Sequence, residues 1–166
     1  MKTLIVVRHA KSSWDEPGIP DLDRPLSKRG VRDAPFMAKV LHGIGFQADK
    51  LVSSPAKRAL DTATFFAKEW KIPTASIAVD RGIYEAPPQR LLEIVRSLSD
   101  EWQTVFLFGH NPALTSFINL FAREYLANLP TCGIAHLESN IAAWSEWKEA
   151  NARMEKLFFP KQYFTN

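Results

Sequence analysis

Short runs of apolar residues recur along this chain, and longer segments with a different apolar spacing separate them. The runs that predict buried strands cover residues 3–7, 51–53, 76–79 and 104–108. Between them, apolar positions return every three or four residues, as on one face of a helix, over about 27–44, 55–70 and 89–98. Strand and helix therefore alternate, which predicts a three-layer α/β/α domain with a mainly parallel sheet covered by helices on both faces.

Prolines and small polar residues indicate where helices begin. Ser54 and Pro55 follow the second strand and predict an N-cap with proline at the first helical position. Asn111 and Pro112 repeat this pattern after the strand at 104–108, and the helix they begin is expected to run to about Tyr125. Two adjacent prolines likewise open the helix at 89–98.

Two regions leave alternatives open. Pro35 lies inside the helical pattern at 27–44, and because proline disrupts a helix interior, we expect either a later start or a kink there. Towards the end of the chain, 132–137 and 153–159 alternate enough to predict two late strands, joined by an irregular segment that contains tryptophan.

Composition predicts one ordinary domain over 1–166, since the 46% of hydrophobic residues is enough for a core. The net charge of +3 is small and dispersed, so it does not argue for nucleic acid. Cys132 is the single cysteine, which favours a reducing compartment and a packing role for the thiol. The apolar run before Arg8 is too short for a signal peptide or a membrane span, so we expect a cytoplasmic protein without membrane contact.

Residues suited to binding phosphate follow three of the predicted strands. Arg8 and His9 end the first run, Arg58 lies shortly after the second, and His110 ends the run at 104–108. Open α/β folds bind ligands at the carboxyl ends of parallel strands, so these side chains are expected to meet at one edge of the sheet. Two guanidinium groups and two imidazoles there indicate phosphate chemistry.

Each of these residues has a definable chemical role. Neutral imidazole at His9 can attack phosphorus, and Arg8 supplies a planar fork of donors to phosphoryl oxygens. Arg58 lies in a first helical turn, where free N–H groups favour an anion, and His110 as an imidazolium would stabilise developing charge. Taken singly, each also fits a surface arginine or a structural histidine, and we expect that plainer role for Lys57.

Four stretches of the chain resemble the histidine phosphatase superfamily. They are Arg8-His9-Ala10, where the family hallmark is Arg-His-Gly, and the segments 24–30, 53–63 and 109–112. Together they span residues 3 to about 120, and their order and spacing are far more specific than any one of them. The replacement of glycine by Ala10 is expected to alter loop geometry more than chemistry. The short chain with few insertions is similar to the SixA-type phosphohistidine phosphatase branch.

The resemblance implies a phosphoglycerate mutase-like fold and a metal-independent phosphatase without a cofactor. In that mechanism His9 takes the phosphoryl group, Arg8 and Arg58 clamp it, and His110 completes the pocket. Surrounding cations are expected to keep His9 neutral. The expected substrate is phosphohistidine on a protein. The alternatives are a small-molecule phosphomonoesterase and a non-catalytic phosphate-binding module.

Glu85, just past the third predicted strand, is the candidate general acid. An alkoxide leaving group needs a proton from such an acid, whereas the leaving nitrogen of phosphohistidine needs less help. Glu85 also fits a cap on the following helix or an ion pair with Arg81 or Arg90.

The loop between Lys11 and Pro25 contributes weaker candidates for the rim of the site. Lys11 and Asp23 are possible rim residues, and Arg24 either holds the loop over the site or forms a structural salt bridge. Trp14 is a candidate for packing against a substrate ring, although ordinary loop packing explains it as well.

Overall fold

A computed structural model describes residues 1–164, which form one six-stranded sheet flanked by helices. The strands are β1 (Lys2–Arg8), β2 (Lys50–Ser53), β3 (Ala78–Val79), β4 (Thr104–Gly109), β5 (Ile134–Ser139) and β6 (Ala152–Phe158). The α-helices are α1 (Lys28–Ile44), α2 (Lys57–Glu69), α3 (Pro88–Arg96) and α4 (Ala113–Asn119). None of the helices within residues 1–164 has the length and apolar content needed to cross a membrane.

The strands lie in the order β3-β2-β4-β1-β5-β6. The first four of these strands are mutually parallel, and β5 and β6 extend the sheet in antiparallel fashion beside β1. This topology confirms the predicted three-layer α/β fold with a mainly parallel sheet and late C-terminal strands.

Alternation along the central strands divides the core into two layers. In β1, Leu4 and Val6 pack in the layer that contains α3 and α4, whereas Ile5 and Val7 pack in the layer that contains α1 and α2. All four side chains are fully buried. The two faces of β1 are thus equally apolar, as expected for a strand covered by helices on both sides.

The start of α2 differs from the prediction. Helix α2 begins at Lys57 with Ala56 as its N-cap, so Ser54 is not the cap and Pro55 is not the first helical residue. The Ser54 hydroxyl is used elsewhere, since it accepts a hydrogen bond from the Ala56 N–H at 3.1 Å and lies 2.8 Å from the imidazole of His110. The turn before the helix therefore belongs to the candidate site.

Helix α4 is shorter than expected and starts one residue later. Its N-cap is Pro112, and it ends at Asn119 and not near Tyr125. The Asn119 side chain donates to the Leu126 carbonyl at 2.9 Å and accepts from the Leu126 N–H at 2.8 Å. This paired contact folds the chain back, which the apolar spacing alone does not indicate.

The remaining boundaries follow the prediction closely. Helix α1 runs without interruption through Pro35, and Ser27 caps it by accepting from the Gly30 N–H at 3.2 Å, so the later start was wrong. A 3-10 turn at Thr74–Ser76 delays β3 to Ala78. Strand β5 begins at Ile134, since Cys132 has a positive φ of 58°.

Candidate active site

The pairing of β1 with β4 brings the two predicted histidines together. Arg8 lies opposite Gly109 in the parallel register, so His9 and His110 leave the sheet side by side. The His9 N–H donates to the Gly109 carbonyl at 3.1 Å, and the two imidazole ring centroids are 5.2 Å apart. The register of β1 and β4 therefore places both histidines next to each other at the carboxyl edge of the sheet.

A cavity of about 220 Å³ opens at this edge, and we call it the inner pocket. Its lining includes all four residues that the strand ends predicted, together with Arg24 and Asn111. Glu85, the fifth predicted residue, lies outside it. The sequence prediction that two guanidinium groups and two imidazoles converge is thus met in the structure, with Arg24 as a third guanidinium.

His9 is oriented by its own neighbour in the chain. Its Nδ1 lies 2.8 Å from the Ala10 carbonyl oxygen. Because a carbonyl oxygen only accepts, Nδ1 carries the hydrogen, and in the neutral ring Nε2 keeps its lone pair. His9 is 6% exposed, so the unprotonated nitrogen belongs to a nearly buried ring.

Burial keeps His9 neutral. The pKa of His9 falls from 6.5 to about 3, and desolvation by burial is the largest cause. Electrostatic repulsion from His110, Arg58 and Arg8 lowers the pKa by smaller amounts. The hydrogen bond to Ala10 opposes this fall in pKa. The neutral, nucleophilic form was predicted from the surrounding cations, whereas the structure makes burial the larger cause.

His110 is also neutral in the free protein. Burial, and then the charge of Arg58, lowers the pKa of His110 from 6.5 to about 4. Its Nε2 lies 2.8 Å from the Ser54 hydroxyl, and its buried Nδ1 has no hydrogen-bond partner within residues 1–164. As an imidazolium, His110 is expected to act on a bound phosphate, and that role stays a prediction. In the free site, burial and the nearby cations keep the ring neutral.

Three arginines line the inner pocket, and the guanidinium group of each donates hydrogen bonds to residues around the pocket. Arg8 donates to the Leu129 carbonyl at 2.9 Å, and Arg24 donates to the Ser12 hydroxyl. Arg58 donates to the carbonyl and to the carboxylate of Asp21, at 2.7 and 2.9 Å. The Nε of each arginine is buried and has no partner in the described part of the chain.

Asp21 is a residue of the site that sequence reasoning missed. It lies in a 3-10 turn within the long loop before α1, where neither periodicity nor a neighbouring strand indicates its place. Besides holding Arg58, its carboxylate accepts from the Tyr84 hydroxyl at 2.6 Å. The Tyr84 hydrogen bond, followed by Arg58, lowers the pKa of Asp21 to about 2. Asp23, the predicted rim residue, does not line the inner pocket.

Ala10 is accommodated where the family hallmark has glycine. Its φ is outside the left-handed region, so a side chain brings no backbone strain. The Ala10 N–H donates to the Thr62 hydroxyl at 3.0 Å, and Thr62 in turn donates to the Arg58 carbonyl at 2.7 Å. The segment after His9 is therefore tied to the first turn of α2, which carries Arg58.

Glu85 lines a second cavity of about 520 Å³, which we call the outer pocket. Asp21 and Tyr84 line the same cavity, and the outer pocket shares Arg58, His110 and Asn111 with the inner one. Glu85 is exposed and has a positive φ of 57°. Arg90 pairs with Glu93 at 3.0 Å and not with Glu85.

The loop candidates divide between the inner pocket and solvent. Lys11 and Trp14 line the inner pocket, and the Arg24 guanidinium lies 3.7 Å from the centre of the Trp14 ring. Trp14 is 72% exposed, so one face of the indole is open at the mouth of the pocket. Arg24 serves both roles considered for it, since it also reaches the Asp21 carboxylate at 3.4 Å.

Cys132 lies behind the site and not in it. Its side chain is fully buried, and burial raises the pKa of its thiol. Its backbone N–H donates to the His9 carbonyl at 3.0 Å, so the residue supports the strand end that carries His9. Within residues 1–164, no three histidine, cysteine, aspartate or glutamate side chains are grouped as ligands for a metal ion.

Comparison with known sequences identifies similar proteins. The sequence model of the histidine phosphatase superfamily (branch 1) matches residues 4–86. An uncharacterised chloroplastic protein of Arabidopsis thaliana is 31% identical over 156 residues, which cover 87% of this chain and 70% of that protein. An uncharacterised protein of Mycobacterium leprae is 29% identical over 169 residues, which cover 93% of this chain and 100% of that protein.

Solved structures share the fold over nearly their whole length. A protein proposed to be the phosphohistidine phosphatase SixA of Agrobacterium tumefaciens has a TM-score of 0.81 at 25% identity, covering 96% of this chain and 98% of that one. The structure of the protein histidine phosphatase SixA complexed with tungstate has a TM-score of 0.78 at 19% identity, covering 93% of this chain and 95% of that one. A mycobacterial glucosyl-3-phosphoglycerate phosphatase has a TM-score of 0.70 at 17% identity, covering 93% of this chain and 97% of that one. The latter two show the fold alone, which is phosphoglycerate mutase-like.

Proposed function

This chain belongs to branch 1 of the histidine phosphatase superfamily, and on that premise we propose that it is a phosphatase whose His9 carries a covalent phosphoryl intermediate. The observation that carries the proposal is a convergence of buried polar atoms without partners. Four of the five buried side-chain polar atoms without a partner in residues 1–164 belong to residues of the inner pocket, namely Arg8, Arg24, Arg58 and His110. Buried polar atoms without partners are costly unless a ligand satisfies them.

In the first step, the lone pair of His9 Nε2 attacks phosphorus and forms a P–N bond. The bond to the leaving group breaks, its electron pair goes to the leaving atom, and that atom takes up a proton from solvent water. The His9 ring then bears positive charge, which the Ala10 carbonyl stabilises by accepting from Nδ1. The three guanidinium groups are placed for the charge on the phosphoryl oxygens.

In the second step, water attacks the phosphoryl group on His9. The P–N bond breaks with its electron pair returning to Nε2, which restores the neutral ring that burial favours. Inorganic phosphate leaves, and the proton released by water balances the one taken up by the first leaving group. Regeneration of the nucleophile is favourable, because the environment that gives His9 its low pKa disfavours the charged ring.

We propose phosphohistidine on a protein as the substrate. Its leaving group is an imidazole nitrogen, which departs more readily than an alkoxide and places less demand on a general acid. Asp21, with a pKa of about 2, is ionised at neutral pH and has no proton to give. An N-linked phosphate therefore suits the residues of the inner pocket without any further acid.

A small-molecule phosphomonoesterase is the second candidate, and the placement of Glu85 favours it. Glu85 lines the outer pocket, which adjoins Arg58 and His110 and has room for a small leaving group. In that case Glu85 would protonate the departing oxygen. If instead Glu85→Gln leaves phosphomonoester hydrolysis unchanged, Glu85 has no part as an acid.

The test is a side-by-side assay on a phosphohistidine-bearing protein and a panel of phosphomonoesters, with His9→Ala as the blank. Faster hydrolysis of phosphohistidine, with a kcat that Glu85→Gln leaves unchanged, is the expected result. Preference for one phosphomonoester, with loss of rate in Glu85→Gln, would favour the second candidate. Binding of inorganic phosphate without turnover of any substrate would make the protein a phosphate-binding module and contradict the proposal.

A further inference from the structure

The outer pocket is placed to receive the group that leaves phosphorus. Arg58, His110 and Asn111 line both pockets, whereas His9 lines only the inner one. In a phosphoryl transfer the nucleophile and the leaving group lie on opposite sides of phosphorus. A phosphoryl group held by Arg58 and His110 and attacked by His9 would thus direct its leaving group away from His9, towards the outer pocket.

The charges of the outer pocket differ in sign from those of the inner pocket. Its titratable side chains are the carboxylates of Asp21 and Glu85, the Tyr84 phenol, Arg58 and the neutral His110. Asp21 is ionised, and its side chain keeps 47% of its surface exposed although Arg58 and Tyr84 contact it. Carboxylates are therefore available to a leaving group in this cavity.

A bound phosphoryl group would increase this difference. Arg58 is 6% exposed, lines the inner pocket, and has a buried Nε without a partner within residues 1–164. Arg24 also contacts Asp21 at 3.4 Å, but Arg24 lines the inner pocket and not the outer one. Once a phosphate dianion interacts with both guanidinium groups, the negative charge of Asp21 and Glu85 is less compensated.

We propose that the outer pocket is a leaving-group subsite in which Asp21, assisted by Glu85, selects groups that are cationic or donate hydrogen bonds over groups that carry a carboxylate. This inference rests on the proposed phosphatase function and narrows its substrate class. An imidazole meets the requirement when its second nitrogen is protonated, because that nitrogen then donates a hydrogen bond and the ring carries positive charge. The ring is also flat enough to pack beside Tyr84. Phosphorylated hydroxy acids do not meet it.

The test compares three two-carbon phosphate monoesters whose terminal groups are cationic, neutral and anionic: phosphoethanolamine, ethyl phosphate and phosphoglycolate. Their dissociation constants are measured by calorimetry with His9→Ala protein, at neutral pH and low salt, so that turnover does not interfere. We expect phosphoethanolamine to bind about tenfold more tightly than phosphoglycolate, with ethyl phosphate between them. Adding Asp21→Asn should reduce that ratio to about threefold or less.

Two further variants separate charge selection from damage to the loop. Asp23→Asn lies on the same 3-10 turn but does not line the outer pocket, and it should keep the full ratio. Glu85→Gln should lower the ratio of the two dissociation constants, and it leaves the hydrogen bonds between Arg58 and Asp21 in place. Equal binding of all three esters, or a ratio unchanged in Asp21→Asn, overturns the inference and leaves the phosphatase proposal standing. Binding of none of them overturns both.

Discussion

The imidazole of His9 lies 5.2 Å from that of His110, measured between ring centroids, and the rings are inclined by 51°. Both are mostly buried and both lie among guanidinium groups. Burial is the largest cause of the low pKa in each ring, to about 3 for His9 and about 4 for His110. The pair is thus neutral over a much wider pH range than two histidines in water.

The first prediction concerns activity at acidic pH. Because the nucleophilic form of His9 persists down to its low pKa, the acid limb of kcat/KM should lie well below pH 6.5. The pH profile of hydrolysis, with NMR titration of both imidazoles, checks this. Titration of His9 near 6.5 in the folded protein would contradict the burial argument.

The second prediction concerns stability, and its sign follows from the same pKa values. The unfolded chain protonates His9 and His110 near 6.5, whereas the folded chain binds these two protons only near 3 and 4. The unfolded state therefore binds more protons in between, and the free energy of unfolding should fall as pH is lowered from about 6.5. Urea unfolding of His110→Gln protein should show a smaller fall than the wild type.

The third prediction separates the charge of Arg58 from its shape. Arg58→Lys keeps the charge but loses the planar fork that holds Asp21 and faces the inner pocket, so kcat/KM should fall by about 100-fold. Lys57→Gln is the matched control. Lys57 is next to Arg58 on α2 but pairs with Asp61 at 3.2 Å and is half exposed, so this variant should retain its rate. Equal losses in both variants would indicate a general effect on α2.

The fourth prediction uses two glycines of α1 with opposite surroundings. A Cβ on Gly30 would lie 2.2 Å from the Lys11 carbonyl oxygen, so Gly30→Ala must displace the loop after His9 and should destabilise the fold by about 1–3 kcal/mol. Among residues 1–164, a Cβ on Gly43 meets nothing within 4 Å, and Gly43→Ala should stabilise the helix by up to about 1 kcal/mol. Urea denaturation of both variants measures the two signs. Similar values for both would show that Gly30 is not tightly packed.

The residues that could be predicted from sequence are those fixed by the sheet. His9 and His110 directly follow strands whose apolar runs are plain, and the parallel register then places them together. Arg58 could be predicted although the start of α2 was wrong, because it lies in the first turn of the helix either way. Short-range pattern is enough where the backbone is regular.

The residues that could not be predicted depend on loops and on contacts between distant segments. Asp21 reaches Arg58 and Tyr84 across 37 and 63 residues of chain, and no local pattern indicates either pairing. Glu85 adopts a left-handed backbone that its residue type does not suggest. The low pKa of His110 in the free site could not be predicted either, since burial of a ring is a property of the assembled pocket.

The central claim is that His9 carries the phosphoryl group, and the most direct measurement is a search for that phosphoenzyme. Protein mixed with a phosphohistidine-bearing protein is quenched rapidly in alkali, which preserves N-linked phosphate, and is examined by mass spectrometry. The account predicts a phosphoryl group on His9 that is absent from His9→Asn protein. Hydrolysis that proceeds with no phosphorylated His9 at any time, or that survives in His9→Asn, would contradict it.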